Sequence, residues 1–288
     1  MRKDISFYSE GKKLAGHLYI PDNAAGPCKT VVLCHGFAGI KEILLPGYAE
    51  AYAKEGYASL VFDYRGFGES EGDRGRLVPA EQVADIRNAI TYIRTCPEVS
   101  RDHIALWGSS FGAANAIHAA AVDERVQCVV AQITYASGER MVLGGQDAAG
   151  RAKVLSTIEK VWERAVTTNK VMALTPDQIL TDDDSKTFYG NAMKQYPLLA
   201  VKIPLFTLKH IIEYKPEDAI RRVRVPVCII GAENDIVCPV SETHALFAAA
   251  NEPKEMSIIP KARHFSVYEG EHLAASSGTA LAWFNRYC

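Results

Sequence analysis

Four short runs in this chain are predominantly apolar from end to end, and each is separated from the next by a segment of helical character. This alternation restricts the fold more than any other feature. The runs Thr30 to Cys34, Tyr57 to Phe62, His103 to Trp107 and Val126 to Ile133 lack the polar and apolar alternation of a strand with one wet face, so they read as strands covered on both sides. The intervening segments read as helices, from about Leu45 to Glu55, from Ala80 to Thr95 and from just after Ser110 to about Val122. The second of these carries Val83, Ile86, Ile90 and Ile93 at helical spacing. Parallel strands need such crossovers, so the expected class is α/β: a mostly parallel, doubly wound sheet whose ligands sit at the carboxyl ends of its strands. An opening hairpin is expected from Asp4 to Tyr8 and Leu14 to Ile20, around the turn Ser9 to Lys13.

The rhythm breaks at Tyr135. From there to about Lys215 the chain looks helical and loop-like, and strand character returns at Val225 to Ile230 and Glu255 to Ile259, with helices at Ser241 to Ala250 and from about Glu271 to Tyr287. A length of 288 residues fits one elaborated domain. The expected organisation is therefore a first core part over 1–134, a helical cap insertion over 135–215 and a second core part over 216–288.

A net charge of −2 gives no reason to expect a nucleic acid or an anionic membrane as partner. The seven cysteines are odd in number, widely spaced and never in a C-x-x-C arrangement, so they read as reduced thiols, with no metal site. The N-terminus lacks the apolar stretch of a secretion signal, and no apolar run reaches the ~20 residues of a membrane span. A cytoplasmic location is expected. The oligomeric state stays open, and a homodimer is compatible with the sequence.

The segment Gly108-Ser109-Ser110-Phe111-Gly112 directly follows the strand ending at Trp107 and matches G-x-S-x-G on a strand-to-helix turn. Glycines there remove side chains that would collide and leave Ser110 projecting at the sheet edge. A serine hydroxyl is a poor nucleophile unless a base takes its proton, and that base needs an acid to hold its tautomer. Asp235, just past the strand Val225 to Ile230, is the expected acid, with Glu233 as its competitor. His264, in a short loop after the strand Glu255 to Ile259, is the expected base. His17, His103, His118, His210, His244 and His272 lack a loop at a strand's carboxyl end. An oxyanion would need two backbone N–H donors. The amide of Phe111, at the start of a helix, and that of Phe37, in the loop after the first buried strand, are the expected pair, with His35 fixing that loop.

These residues, with His35-Gly36-Phe37 and the run Asp63-Tyr64-Arg65-Gly66-Phe67-Gly68-Glu69-Ser70, carry a resemblance. Most of the chain outside the insertion resembles the α/β-hydrolase superfamily. The run from Asp63 to Gly72 is similar to the D-x-R-G-x-G-x-S-x-G segment of its dienelactone hydrolase, acetyl esterase and dipeptidyl-peptidase-like branches. The resemblance implies a cofactor-free serine hydrolase without identifying its substrate; a carboxylic ester or similar small acyl compound is expected, and the family branch suggests a preference for short acyl chains. An HGGG oxyanion loop, present in some esterases, is replaced by His-Gly-Phe. Three alternatives keep the same scaffold: an acyltransferase, a hydrolase of a carbon-carbon bond in a diketone, and a ligand-binding member without turnover.

Other features have simpler readings. Gly66-Phe67-Gly68 lacks the third glycine of a dinucleotide fingerprint, since Glu71 stands in its place, and reads as a tight turn. Cys34 reads as a packed strand residue, and Asp182-Asp183-Asp184 as solvated surface. Met141, Trp162, Phe188, Tyr189 and Phe206 are either cap core or the lining of an acyl pocket.

Overall fold

The computed structural model describes all 288 residues. The chain begins with a hairpin of β1 (Arg2–Ser9) and β2 (Lys12–Tyr19), joined through Glu10 and Gly11, which both have positive φ, the twist that suits a tight hairpin. There follow β3 (Cys28–Cys34), α1 (Leu45–Lys54), β4 (Ala58–Phe62), α2 (Pro79–Ile93), β5 (Val99–Ser109), α3 (Phe111–Ala120) and β6 (Val126–Gln132). After a long helical segment the sheet resumes with β9 (Val227–Ala232), α10 (Val240–Ala249), β10 (Lys254–Ile259) and α11 (Gly270–Tyr287).

These strands form one eight-stranded sheet in the order β1-β2-β4-β3-β5-β6-β9-β10. The β1/β2 and β2/β4 pairs are antiparallel and every other pair is parallel. The apolar runs expected to be wrapped on both faces are so: Val32, Leu60, Leu106 and Val129 face one core cluster, while their neighbours Val31, Val61, Ala105 and Val130 face another. Strand alternation thus feeds two cores, one under each layer of helices.

The chain leaves β3 toward β4 and then crosses back to place β5 on the other side of β3. Loops after β3 and β5 consequently diverge at one point of the sheet and leave a crevice there, which is where open α/β sheets bind ligands.

The segment between β6 and β9 comprises α4 (Gly138–Leu143), α5 (Ala148–Thr168), α6 (Pro176–Ile179), α7 (Asp183–Gln195), α8 (Thr207–Ile212) and α9 (Pro216–Ile220). It also contains a ribbon that the sequence pattern did not signal: β7 (Ala173–Leu174) pairs antiparallel with β8 (Ile203–Pro204). Two residues are too few to show a period. α9 packs against α3 and α10 of the core, whereas α4 through α8 lie over the strand ends. No helix is long and apolar enough to cross a membrane. All seven cysteines are unpaired.

Candidate active site

Ser110 is the residue between β5 and α3, and its backbone takes φ 55° and ψ −128°. Such a conformation is strained for any residue with a side chain and persists only where the surroundings over-determine it. Here they do. A Cβ on Gly108 would lie 2.4 Å from the Gly112 carbonyl oxygen, and one on Gly112 would lie 2.2 Å from the carbonyl oxygens of both Cys34 and His35. The two glycines let β3, β5 and the first turn of α3 close on one another, and the Ser110 amide is fixed on the Gln132 carbonyl at 2.9 Å.

Asp235 and His264 leave the ends of β9 and β10 and converge on this serine. The His264 Nδ1 lies 2.7 Å from Asp235 Oδ2, and its Nε2 lies 3.1 Å from Ser110 Oγ. The second oxygen of Asp235 accepts the Val237 and Cys238 amides, each at 2.8 Å, so the carboxylate cannot swing. Asp235 and His264 are 6% and 3% exposed. Glu233, the competing carboxylate, is exposed and accepts the Lys261 amide instead. With Nδ1–H donated to a carboxylate, the imidazole is held in the tautomer whose Nε2 lone pair faces the serine.

The Phe37 and Phe111 amides have no hydrogen-bond acceptor within the protein. Phe111 opens α3, where the first-turn N–H groups have no intrahelical partner and the helix dipole favours negative charge. The Phe37 and Phe111 rings meet edge to face at 6.3 Å between centroids, which brings the two loops together.

A cavity of about 450 Å³ opens onto these groups, lined by Ser110, His264, Phe37 and Phe111 from the core and by Met141, Leu180 and Tyr189, among others, from the helical segment. Its lining is mostly hydrophobic.

A family model described as serine aminopeptidase, S33, matches residues 25–271 of this chain. The chain belongs to that family of α/β hydrolases. An uncharacterized 31.7 kDa protein from the traX-finO intergenic region of Escherichia coli is 39% identical over 258 residues, which is 89% of this chain and 90% of that one. A thiohydrolase of Aspergillus aculeatus is 29% identical over 283 residues, 91% of this chain and 85% of its own. The crystal structure of a hypothetical protein from Pseudomonas aeruginosa superimposes with a TM-score of 0.86 at 23% identity, covering 100% of this chain and 94% of that one.

In this S33-family chain the loops around the serine rest on the Asp63 to Ser70 run and on groups that no motif marks. Lys41 is buried, and its Nζ bonds Asp63 at 3.0 Å, Glu69 at 2.6 Å and Glu42 at 2.5 Å. Burial opposes its charge, but the three carboxylates outweigh that and hold its pKa above the ordinary lysine value. Asp63 also accepts the Lys41 amide at 2.7 Å and the Glu69 amide at 2.9 Å, which binds the loop after β3 to the loop after β4. Gly68 is glycine because a Cβ there would lie 2.1 Å from Asp63 Oδ2 at a φ of +50°. The Gly66 to Gly68 segment is a tight turn wrapped around this aspartate. On the other side, Tyr48 donates to the Val267 carbonyl at 2.7 Å, and Tyr268 bonds Ser109 at 2.6 Å. These two tyrosines pin the loop that carries His264. Lys41, Tyr48 and Tyr268 were not visible as motifs, since a lone lysine or tyrosine becomes a support only once the topology surrounds it.

The remaining sequence features fall as follows. His35 is buried against Gly39, and burial, reinforced by Lys41, pushes its pKa down to about 3, so it stays neutral. Burial raises the Cys34 thiol to about 12, which leaves it an inert packing residue. The aspartate run is more than solvated surface. Asp182 caps α7 through the Ser185 amide and lines the cavity, while Asp184 pairs with Arg263 at 2.7 Å. A helix N-terminus draws carboxylates for the reasons that make Asp a good cap. Met141 and Tyr189 line the cavity, Phe188 lines an adjoining groove, and Trp162 and Phe206 pack on each other within the helical segment.

Proposed function

We infer that this protein is a serine hydrolase that cleaves a carboxylic ester or thioester through an acyl-enzyme. Ser110 is the nucleophile, His264 the general base and then acid, Asp235 the group that orients His264, and the Phe37 and Phe111 amides the oxyanion donors. The observation that carries this reading is the continuous hydrogen-bonded line from Asp235 through His264 to Ser110 at the mouth of the cavity.

As Ser110 Oγ attacks the acyl carbonyl, its proton passes to His264 Nε2, and the imidazolium formed is stabilised by Asp235 at Nδ1. The carbonyl oxygen becomes an anion between the two free amides, each such donor contributing about 3 kcal/mol to transition-state stabilisation. Collapse expels the leaving group, which takes the proton from Nε2. Water, deprotonated by the same nitrogen, then releases the acid and regenerates Ser110.

The name of the A. aculeatus relative supports including thioesters among the substrates. A cavity of about 450 Å³ is of the size that encloses drug-sized ligands, which favours a larger acyl group than the short chains suggested by the sequence resemblance. A fluorophosphonate probe tests the nucleophile: labelling of the native protein and none of Ser110→Ala is the expected result, and equal labelling of both would refute it. A series of p-nitrophenyl esters beside matched thioesters, with and without an added alcohol acceptor, identifies the acyl class and separates hydrolysis from acyl transfer. We also propose a cytoplasmic, cofactor-free enzyme whose helical segment acts as a cap.

A further inference from the structure

Two neighbouring strands change character at the same level. On one face of β5, Ala105 and Trp107 enter an apolar cluster, and on the matching face of β6, Cys128 and Val130 enter the same one. The next residue on each face is polar, Ser109 on β5 and Gln132 on β6, and these two are paired in register. Both are fully buried. A polar side chain in such a place costs free energy unless it is bonded, and an apolar residue would continue the face without that cost.

The bonds exist, and they close a circuit. Ser109 Oγ lies 2.6 Å from Tyr268 Oη. Gln132 Nε2 donates to Tyr48 Oη at 2.9 Å and, over a longer 3.5 Å, to Ser109 Oγ. Tyr48 Oη donates to the Val267 carbonyl at 2.7 Å, and Val267 leads through the chain back to Tyr268. Two points on this circuit stand next to the reacting groups. Ser109 precedes Ser110, whose own amide is held by the Gln132 carbonyl at 2.9 Å. Val267 and Tyr268 belong to a 3₁₀ turn, Ser266–Tyr268, that begins two residues after His264. The end of the nucleophile's strand is thus tied by side chains to the loop of the base, in addition to the 3.1 Å contact between Ser110 Oγ and His264 Nε2. The cluster around these bonds is apolar, with the Trp107 and Tyr48 rings 4.5 Å apart, and a satisfied polar network in such surroundings fixes one geometry.

We propose that Ser109, Gln132, Tyr48 and Tyr268 are positioning residues that set the distance between Ser110 and His264, and so act on the rate of acylation and not on substrate binding. The proposal rests on the hydrolase reading above and gives the pinning of the His264 loop a function in turnover. A displacement of about 1 Å between reacting groups can lower a rate about 100-fold.

The test compares Tyr268→Phe, Ser109→Ala and the double variant with the native protein on one p-nitrophenyl ester. Tyr268→Phe keeps the aromatic ring that lines the cavity, and with it the packing. Each single substitution is expected to lower kcat and the rate of fluorophosphonate labelling by about 10- to 100-fold. The Kd of the product acid, read by calorimetry, should stay within about 2-fold of the native value, since the cavity lining is kept. Both substitutions cut the same bond, so the double variant should fall no more than about 3-fold below the slower single one. Tyr57→Phe is the control: its hydroxyl bonds Asn285 at 2.9 Å in the same apolar cluster but just before β4, at the amino end of the sheet. This control should lower the thermal midpoint and leave kcat unchanged. Native rates in Tyr268→Phe, full multiplication of the two single losses in the double variant, or an equal loss of kcat in Tyr57→Phe would each overturn the proposal and leave the hydrolase reading in place. Absence of fluorophosphonate labelling in the native protein would overturn both.

Discussion

The floor and the roof of the cavity are held in opposite ways. Ser110, Asp235 and His264 sit on loops at strand ends, and Asp63 and His35 beside them are buried as well. Strand pairing, on both sides for every strand here but the edge strand β10, the Lys41–Asp63 ion pair and the Tyr48 and Tyr268 hydroxyls each restrict these loops. The roof is tethered by less. Of the 21 residues of α5 only Ile158 and Val161 are buried, and α7 buries Ser185 and Tyr189. Its links to the loops around Ser110 include a hydrogen bond from Tyr189 to the Phe37 carbonyl, the Asp184–Arg263 ion pair, Phe188 stacked on Phe265 at 4.2 Å, and a small apolar cluster of Ile40, Ile43 and Leu199. Elements with few buried contacts open at lower free energy than the sheet beneath them. The floor therefore suits a reaction that tolerates little misalignment, and the roof suits the admission and choice of a substrate.

Substitutions on the floor should have the largest effects. Ser110→Ala or His264→Ala is expected to lower kcat by about 10⁶-fold, and Asp235→Asn by about 10⁴-fold, because the amide allows the wrong tautomer of His264. Thermal midpoints would show whether the folded state survives these changes. On the roof, Tyr189→Phe removes one hydrogen bond to the loop that carries Phe37, so kcat should fall only about 10-fold. A loss in this roof variant as large as that of Asp235→Asn would break the division between the two regions.

A pair of glycines sharpens the same contrast. At Gly112 an added methyl meets two backbone carbonyls at 2.2 Å, and backbone cannot yield as a side-chain tip can. Gly112→Ala is expected to cost about 3 kcal/mol or more and to displace Ser110. At Gly190, within α7, an added methyl meets nothing within 4 Å. Gly190→Ala should stabilise the roof by roughly 0.5–1 kcal/mol through helix propensity. Denaturant midpoints of the two variants check both signs.

The division between floor and roof also explains what could be read in the sequence. Buried parallel strands such as Val31 to Cys34 and Ile104 to Trp107 are continuous apolar runs because both faces are covered, and the Gly108 to Gly112 turn is written in glycines because three backbones crowd there. Asp235 and His264 follow from the strands that end just before them. Roof positions obey no such local rule. Whether Met141 lines the cavity while Trp162 packs on Phe206 depends on how short helices lie against each other. The β7/β8 ribbon is too short to leave a pattern, and Asp182 reads as solvated surface until α7 begins beside it. Lys41 lies in between: its burial on the floor follows from long-range topology, not from its neighbours in the chain.

A further expected effect concerns acid stability, and it belongs to the floor. His118 in α3 stacks on Tyr214 with 4.0 Å between ring centroids, and its Nε2 is buried without a partner. Burial, reinforced by the nearby Arg222 cation, lowers its pKa to about 4, against an ordinary value of 6.5. Below pH 6.5 the unfolded chain takes up a proton at this position that the folded chain refuses, so stability falls as pH drops from 6.5 toward 4 and loses nothing further at this site below that. By pH 5 the loss should be about 1–2 kcal/mol after allowing for partial exposure of the ring. His118→Phe keeps the stack and removes the titration. The stability of the native protein relative to this variant, followed by urea unfolding from pH 7 to pH 4, should therefore decline across that window. A difference that stays flat with pH would mean that His118 is protonated in the folded state, and the floor would then be wetter around α3 than its packing implies.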